Sequence, residues 1–338
     1  MKLYLVVILT SVLTTHAYSQ DASPDDARAA LKRSVSFFRD KVAVSDSYVG
    51  SYSADLVHRQ GENTQDDSTA WIQPPGTPSV GQAYLTAWNL TGEQYLLDAA
   101  HQTALALVKG QLQSGGWDYL IKFDANARKK YAYRVEPSNP KGRNVTTLDD
   151  DTTQAALRFL MRVDRALQFK DKRIHEAVEY AWRQLLDAQY PNGAWPQRFS
   201  ETPDAADFPV MKAGYPDAWS REYVKQDYRS YYTFNDNTLA DMIETAFEAS
   251  EIYPDDPRFE KAARKAGDFI MLAQMPQPQP AWAQQYNAKM QPAWARKFEP
   301  PSVTGGESQG VLSILLLLYQ QTGDARYLEP IPPALEWL

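Results

Sequence analysis

Apolar residues recur at helical spacing through most of the chain. In the segment that starts at Tyr95 they fall three or four residues apart, and the segment from Ile174 repeats this spacing. Such spacing places the apolar side chains on one stripe of a helix, whereas a half-buried strand would alternate. Proline and glycine mark the ends of these segments. The pattern therefore predicts an all-α protein in which helices alternate with long polar loops.

The helical segments also resemble one another. Similar phrases open at residues 91–96, 255–259 and 322–328, with a weaker copy at 170–174. The starts lie about 70 to 85 residues apart, a period typical of stacked helical hairpins. We therefore expect an α/α toroid, that is, an incomplete α/α barrel of paired helices with long functional loops. Residues 21–44 are predicted to form a first helix, and residues 48–78 a long loop region.

Two of the predicted helices end in the same signature, Q-x-x-x-G-x-W. It occupies residues 111–117 and 189–195, and a degraded third copy runs from Gln274 to Trp282. A glutamine at a helix end can bond exposed backbone groups, and the glycine supplies the turn. Two interpretations stay open. The motif is structural and joins helical layers, or its tryptophans lie at a rim where they stack on a ligand.

The first residues have the features of an export signal. Lys2 supplies a positive charge, residues 3–13 are apolar, and Ala17 and Ser19 fit a cleavage site. The apolar run is too short for a membrane span, which needs roughly 20 residues. We expect a signal peptide at 1–19 with cleavage near Ser19, and a single catalytic domain at 20–338. The protein is then secreted or periplasmic, without a membrane anchor after cleavage.

Composition excludes several kinds of active site and partner. The chain has 338 residues, 43% hydrophobic and 12% aromatic, with no cysteine and a formal net charge of -7. It is long enough to fold without disulfides. The lack of cysteine excludes a catalytic thiol and a cysteine-ligated metal, and the acidic charge argues against a nucleic-acid partner. No histidine pair has the H-E-x-x-H spacing of a zinc hydrolase. We expect a monomer.

Three consecutive carboxylates precede a predicted helix at 155–166. One aspartate at this position is normally an N-cap. Asp149, Asp150 and Asp151 exceed what capping needs, and they repel one another unless a cation or several donors hold them. Oxygen ligands of this kind suit calcium or magnesium. The alternative is one cap with solvated neighbours.

Two further clusters could carry chemistry. Asn235 and Asp236 open another helix, where they are either caps or part of a polar site at the helix mouth. Arg296 comes shortly before two prolines, which stiffen the backbone and could hold its guanidinium in a cleft. The alternative is an ordinary surface loop. Thr304 or Ser302 is expected to begin the last long helix, with a capping box from Glu307.

The segment 122–143 is locally basic. It contains seven lysines and arginines, Lys122 and Arg143 at its ends, against two carboxylates. Such a run is either a solvated loop or a subsite for a polyanion.

Five motifs in one order resemble those of the family 10 polysaccharide lyases, pectate lyases with an α/α-toroid fold. The match spans roughly residues 115–318. The motifs are a Gly-Gly-Trp turn at 115–117, an Asp-containing segment at 148–160, A-Q-Y-P-N-G-A-W-P-Q at 188–197, T-F-N-D-N at 233–237, and A-R-x-F-E-x-P-S at 295–302 with Gly-Glu-Ser at 306–308.

The resemblance implies calcium-assisted β-elimination on a uronic-acid polymer such as polygalacturonate. Arg296 matches the arginine that acts as the base, and Asp149 matches the calcium-binding aspartate. An arginine base is unusual, because the guanidinium is normally protonated. We therefore expect Ca²⁺ as cofactor and an anionic polysaccharide as substrate. The predicted metal ligands are Asp149, Asp150 and Asp151, and the predicted substrate-binding residues are Lys122, Arg143, Trp195, Arg198, Asn235 and Asp236.

The chain departs from the family pattern close to these residues. Asp118, Tyr119 and Leu120 stand where the family has Pro-Lys-Asn, Ala194 replaces a glycine, and the basic segment looks like an insertion. These changes concern the identity of the polymer more than the type of reaction. Two alternatives remain: a non-catalytic glycan-binding toroid of a polysaccharide-uptake system, and a terpenoid-cyclase-like enzyme, for which the chain is short.

Overall fold

The computed structural model describes residues 23–338, so the predicted signal peptide and its cleavage site lie outside the described residues. Helix α1 spans Pro24–Phe37. Ser23 caps it, because its hydroxyl accepts the Asp26 backbone N–H and the Asp26 carboxylate accepts the Ser23 N–H in return. A π-helical turn, Phe38–Val42, follows. The α-helix thus ends before the predicted residue 44.

The residues from Val42 onward form one compact unit, and the described residues before Val42 belong to another. The second unit contains four helix pairs. Loops of two to five residues join the helices of three pairs, and a longer connection with a 3-10 turn at Ala325–Leu328 joins those of the fourth. The remaining helix is the four-residue α4. In chain order the helices are α2 Thr77–Thr91, α3 Gln94–Gly110, α4 Ala125–Arg128, α5 Thr152–Ala166, α6 Lys172–Asp187, α7 Thr238–Ile252, α8 Arg258–Ala273, α9 Gly305–Thr322 and α10 Ile331–Trp337.

The pairs are α2–α3, α5–α6, α7–α8 and α9–α10, and they stack side by side. The first helix of each pair contacts the first helix of the next, α2 with α5, α5 with α7 and α7 with α9, and they form an inner row. The second helices form the outer layer, where α3 contacts α6. The repeated phrases of the sequence precede these outer helices. The predicted all-α toroid of paired helices is confirmed.

Short antiparallel strand pairs bracket three of the helix pairs. One strand lies just before the inner helix and its partner just after the turn that follows the outer helix. The pairing brings the start of each inner helix beside the end of its own repeat. The strands are β1 Ser51–Tyr52, β2 Arg59–Gln60, β3 Thr64–Gln65, β4 Thr69–Trp71, β5 Leu120–Lys122, β6 Thr146–Thr147, β7 Arg198–Phe199, β8 Tyr232–Thr233 and β9 Gln285–Tyr286, with β1, β2 and β3 forming one sheet in the predicted loop region and β4–β5, β6–β7 and β8–β9 the bracketing pairs.

The Q-x-x-x-G-x-W turns are structural. Gln189 donates its side-chain amide to the carbonyl of Gly193 within its own turn and to that of Ala262 on the next outer helix, at 2.9 and 3.0 Å. Gln111 and Gln274 make the equivalent pairs of bonds. Each glutamine thus ties one repeat to the next, and the degraded third copy works like the other two.

The tryptophans of these turns are buried. Trp117, Trp195 and Trp282 are at most 2% exposed, and each indole N–H donates to a carbonyl of the preceding outer helix. A buried ring has no free face for a ligand. The interpretation in which these rings stack on a ligand at a rim is therefore wrong, and the structural one holds.

Helix α9 begins after Thr304, as expected, and contains the mostly apolar segment 311–319. The predicted capping box is wrong, because the Thr304 side chain makes no cap hydrogen bond, and its hydroxyl is buried without a partner in the described residues. None of the helices in residues 23–338 is long and apolar enough to cross a membrane.

Candidate functional site

Two loops of the same shape lead into inner helices α5 and α7. In the first, Asp150 and Asp151 have φ of 53° and 56°; in the second, Asp236 and Asn237 have φ of 50° and 55°. Asp and Asn tolerate this left-handed backbone better than other residues with a side chain. The two loops contact each other, so the Asp triplet and the Asn-Asp-Asn segment form one site.

Three carboxylates converge there. One oxygen each of Asp149, Asp150 and Asp236 lies within 4.8 Å of the other two. Asp236, predicted to bind substrate, thus belongs with the predicted metal ligands. Asp151 does not join them, because both its oxygens face the Arg158 guanidinium at 2.7 and 2.5 Å. The prediction that three consecutive aspartates form the cluster needs this correction: the left-handed backbone turns the third carboxylate toward α5.

Asp149 is the most firmly held of the three. It is 7% exposed. One oxygen accepts the Gln197 amide at 3.0 Å, and the other accepts the Arg198 guanidinium at 2.7 Å and the Tyr119 hydroxyl at 2.9 Å. The pairing of β6 with β7 places Gln197 and Arg198 there, since Thr147 stands opposite Arg198. Arg198 is therefore an anchor of Asp149 at the site.

Tyr119 connects two of the carboxylates. Its hydroxyl is 2.9 Å from an oxygen of Asp150 as well as from Asp149. Its ring stacks on Trp71 with centroids 5.8 Å apart, and the Arg198 guanidinium lies over it. Burial, and then the charge of Asp149, raise the pKa of the Tyr119 phenol, which is therefore a hydrogen-bond donor to these carboxylates.

The cluster carries excess negative charge. Burial and repulsion from Asp149 raise the pKa of Asp150. Desolvation, followed by the charges of Asp150 and Asp149, raises the pKa of Asp236 to about 6, although Arg296 acts in the opposite direction. Asp150 and Asp236 are acceptor groups that the protein does not neutralise by itself. Carboxylate oxygens at this spacing match the donors that a hard divalent cation prefers.

Arg296 lies close enough to Asp236 to interact with it electrostatically. Its guanidinium and its backbone N–H both bond the carboxylate of Glu299, at 2.7 Å from Nε and 3.0 Å from the backbone, with a further short bond from a terminal nitrogen. Glu299 is 7% exposed, whereas the Arg296 side chain is 48% exposed. These bonds raise the pKa of Arg296 above its ordinary range, so the free protein holds it as a guanidinium.

A glutamine connects the two halves of the site. The Gln284 amide donates to Asn235 and to Glu299, both at 3.1 Å. The Asn235 amide donates in turn to the Asp236 carboxylate. Asn235 thus fixes the Asp236 carboxylate, and Asn235 is a positioning residue of the site.

Sequence reasoning missed Tyr119, Gln197, Gln284 and Glu299. A signal was present for the first three, since each stands two residues after a buried tryptophan of a repeat. The backbone carbonyl at this position accepts the N–H of the residue that opens the inner-helix loop, in all three repeats, at 2.8 to 2.9 Å. The side chains of Gln197 and Gln284 reach the loop that their own carbonyl bonds, whereas that of Tyr119 reaches the loop of the next repeat.

The other predicted substrate-binding residues lie apart from the carboxylates or at the edge. Trp195 is a core residue, as described above, so its assignment to substrate binding is wrong. Lys122 is held by Asp66 and Thr69 at 2.8 and 2.6 Å. Arg143 pairs with the buried Asp118 and keeps 48% of its side chain exposed. Lys122 has no hydrogen bond to the carboxylate cluster within residues 23–338.

The basic segment is partly structural. Arg128 is 4% exposed, and its guanidinium donates to four backbone carbonyls, one in α3, one in β5 and two in the following loop. Arg134 lies over the Tyr180 ring at 4.5 Å. Lys129, Lys130 and Lys141 are exposed.

The fold recurs in other carbohydrate-active enzymes. A family 10 polysaccharide lyase from Cellvibrio cellulosa is 23% identical, with a TM-score of 0.51 over 78% of this chain and 70% of the lyase. An Asp-to-Ala mutant of a lyase of that family and source, in complex with trigalacturonic acid, is 22% identical, with a TM-score of 0.50 over 77% and 71%. A D-mannose isomerase is 15% identical, with a TM-score of 0.53 over 95% and 70%. At these identities the likeness extends to the fold.

No curated protein matches the chain. The family model of the pectic acid lyases, however, matches residues 111–338. This range is more than half of the chain, and it includes the carboxylate cluster, Arg198 and Arg296. The chain belongs to the pectic acid lyase family.

Proposed function

We propose that this protein cleaves polygalacturonate, or a related uronic-acid polysaccharide, by calcium-assisted β-elimination. The observation that carries the proposal is the convergence of Asp149, Asp150 and Asp236 between two arginines, Arg198 and Arg296. Membership of the pectic acid lyase family supports it. The bound trigalacturonic acid of the Cellvibrio lyase mutant is consistent with an anionic polysaccharide as substrate.

The residues present fit calcium. Asp149, Asp150 and Asp236 supply hard oxygen donors, and oxygens bound to one calcium ion lie no more than about 5 Å apart. Burial, and then repulsion among the carboxylates, raises the pKa values of Asp150 and Asp236, and a divalent cation would offset both effects. When bound there, calcium would draw charge from a substrate carboxylate and so acidify the adjacent C–H bond.

The side chains around the cluster have distinct tasks in this proposal. Arg198, Gln197 and Tyr119 hold Asp149 in one orientation, so the ligand needs no rearrangement. Arg296 faces the carbon that carries the acidic proton and takes that proton as the base. The electron pair of the C–H bond then forms the C=C double bond as the bond to the leaving sugar oxygen breaks, and that oxygen takes up a proton from water.

Glu299 places a condition on this role. It raises the pKa of Arg296, and a guanidinium must lose a proton before it can accept another. The base role therefore requires that substrate binding weaken the Arg296–Glu299 bonds. If those bonds persist, Arg296 contributes as a fixed cation beside the developing negative charge.

The test is ultraviolet absorbance during incubation of the purified protein with polygalacturonate. The conjugated, unsaturated uronic acid formed by elimination absorbs there, whereas a hydrolysis product does not. We expect a rise in the presence of calcium, no rise with a chelator, and no rise with Arg296→Ala. A flat trace on every uronan tested would refute the proposal and leave a glycan-binding toroid.

We also propose export. Mass spectrometry of the protein recovered from the periplasm or the medium of an expressing bacterium should give a chain that begins near Gln20. An unprocessed N-terminus in such fractions, or retention inside the cell, would argue against the predicted signal peptide.

A further inference from the structure

A groove lies beside Arg296, between residues 216–231 of a long loop and residues 287–301. Its volume is about 220 Å³. Pockets for whole drug-sized ligands measure roughly 300–1,000 Å³, so this groove has room for about one sugar ring. Two indoles, Trp219 and Trp294, are part of its wall.

The surrounding chain holds Trp294 in place. Its indole N–H donates to the carbonyl of Lys297 at 3.2 Å, and its own carbonyl accepts the side-chain amide of Gln226 at 2.8 Å. Its ring also packs at a tilt against Tyr223, with centroids 5.8 Å apart. A ring fixed in this way loses little freedom when a ligand packs on it.

Trp219 supplies the more open surface. It is 46% exposed, and its ring meets the edge of Tyr215, with centroids 6.3 Å apart. The Tyr215 hydroxyl is anchored on the carbonyl of Pro276 at 2.9 Å. Exposed indoles offer an apolar face to the C–H groups of a pyranose ring, and neighbouring polar groups can bond its hydroxyls.

The polar lining is mostly neutral. Ser220, Gln226, Asn287 and Gln291 carry hydrogen-bonding side chains, and Glu222 is the one charged residue among those that line the groove. Glu222 is exposed and has no ion pair within residues 23–338. A sugar carboxylate in this groove would find no cation in the lining and would be repelled by Glu222. The groove therefore favours an uncharged ring.

The segment 287–301 contributes to both the groove and the candidate active site. Trp294 stands two residues before Arg296, and Pro301 follows Glu299 by two residues. Tyr228, in the same long loop, interacts electrostatically with Arg198 and Arg296. A glycan held at the carboxylate cluster can thus extend into the groove.

We propose that this groove is a subsite for an uncharged pyranose ring next to the uronate that is cleaved. The inference rests on the proposed lyase function. Two sources share the required chemistry: a uronate whose carboxyl is methyl-esterified, and a neutral sugar that alternates with uronate. The protein would then act on polymers of mixed charge more readily than on a fully charged chain.

The experiment compares kcat/KM for three oligosaccharides of equal length. One is fully de-esterified oligogalacturonate, one carries methyl esters beside a free galacturonate, and one alternates galacturonate with a neutral deoxyhexose. We expect the intact protein to prefer one or both of the mixed substrates by about two- to five-fold. The better of the two identifies the source of the ring.

Three variants assign the preference to the groove. Trp219→Ala should raise KM for the preferred substrate about three- to ten-fold with little change in kcat, since stacking is lost. Trp219→Phe should restore part of this loss. Glu222→Gln should improve use of the fully charged substrate alone. The matched control is Trp88→Ala, in α2, which should alter none of these values.

The outcomes separate the two proposals. If the protein forms unsaturated product but has the same preference in Trp219→Ala and Glu222→Gln as in the unaltered chain, the groove proposal is overturned and the lyase proposal stands. If no substrate gives product, calorimetry with the methyl-esterified oligosaccharide decides. Binding that Trp219→Ala weakens then supports the groove and overturns the lyase proposal, and absence of binding overturns both.

Discussion

The pKa of Asp241, near the candidate site, can be tested without any substrate. It lies in the first turn of α7, facing Asp151 and Arg158. Burial, and then the charge of Asp151, raise its pKa from an ordinary 3.8 to about 7, although Arg158 acts in the opposite direction. Its carboxylate accepts no hydrogen bond within the described part of the chain. The folded protein therefore keeps a proton on Asp241 that the unfolded chain loses at much lower pH.

The sign and size of the effect follow from linkage. Between pH 3.8 and about 7 the folded state binds one more proton than the unfolded state, so the free energy of unfolding falls as the pH rises. A shift of about 3 units corresponds to at most about 4 kcal/mol. Water reaches this partly buried group, which reduces the expected effect to about 1–3 kcal/mol.

The perturbation is Asp241→Asn, which keeps the shape and removes the titration. We expect the variant to match the unaltered protein near pH 4 and to exceed its melting temperature by roughly 2 to 5 °C at pH 8. Thermal unfolding from pH 4 to pH 8, with chelator present, measures the difference. Glu251→Gln, an exposed exchange on the same helix, should give no such pH-dependent gain. A constant difference across the range would refute the reasoning.

Three further predictions concern the site and the repeat. Tyr119→Phe should lower the rate of unsaturated product about ten-fold with the melting temperature nearly unchanged, because it removes only a hydroxyl shared by Asp149 and Asp150; an unaltered rate would show that this hydroxyl has no part. Asp149→Asn should weaken calcium binding in calorimetry at least ten-fold more than Asp151→Asn, and equal losses would contradict the corrected cluster. Gln189→Ala should destabilise the protein by about 2–3 kcal/mol in thermal unfolding with kcat nearly unchanged, since two carbonyls lose their donor.

Much of the fold could be predicted because the helices are amphipathic and repeat. The apolar stripes at Tyr95 and Ile174 mark outer helices α3 and α6, whose inner faces must be buried against the inner row. The strands could not be predicted, since most contain only two residues and carry no period. Their existence depends on pairing across a whole helix hairpin, as between β6 and β7. Such long-range pairing produces no pattern in the local sequence.

The site could be predicted by residue type but not by geometry. The sequence drew attention to Asp149, Asp150, Asp236 and Arg296, although as members of three separate clusters. It could not show that two consecutive left-handed residues turn Asp151 away, because the direction of a carboxylate depends on backbone dihedrals. Nor could it show that Trp195 is buried, since a tryptophan after a turn suits a core and a binding surface equally.

The repeat itself explains why one site exists rather than two. The loops at 148–152 and 234–238 have the same backbone conformation. In each loop, a glutamine that stands two residues after a tryptophan contacts the first polar residue. In one loop that residue is Asp149, held by Gln197; in the other it is Asn235, held by Gln284. The two loops meet, so replacing one acid by an amide leaves three carboxylates rather than four in contact. The amide also bonds Asp236 and, through Gln284, the Glu299 that fixes Arg296.

Asn235→Asp would therefore add a fourth like charge and break this connection, and we expect it to weaken product formation more than Asn235→Ala. Comparable losses in the two variants would mean that the charge of this position does not matter to the site.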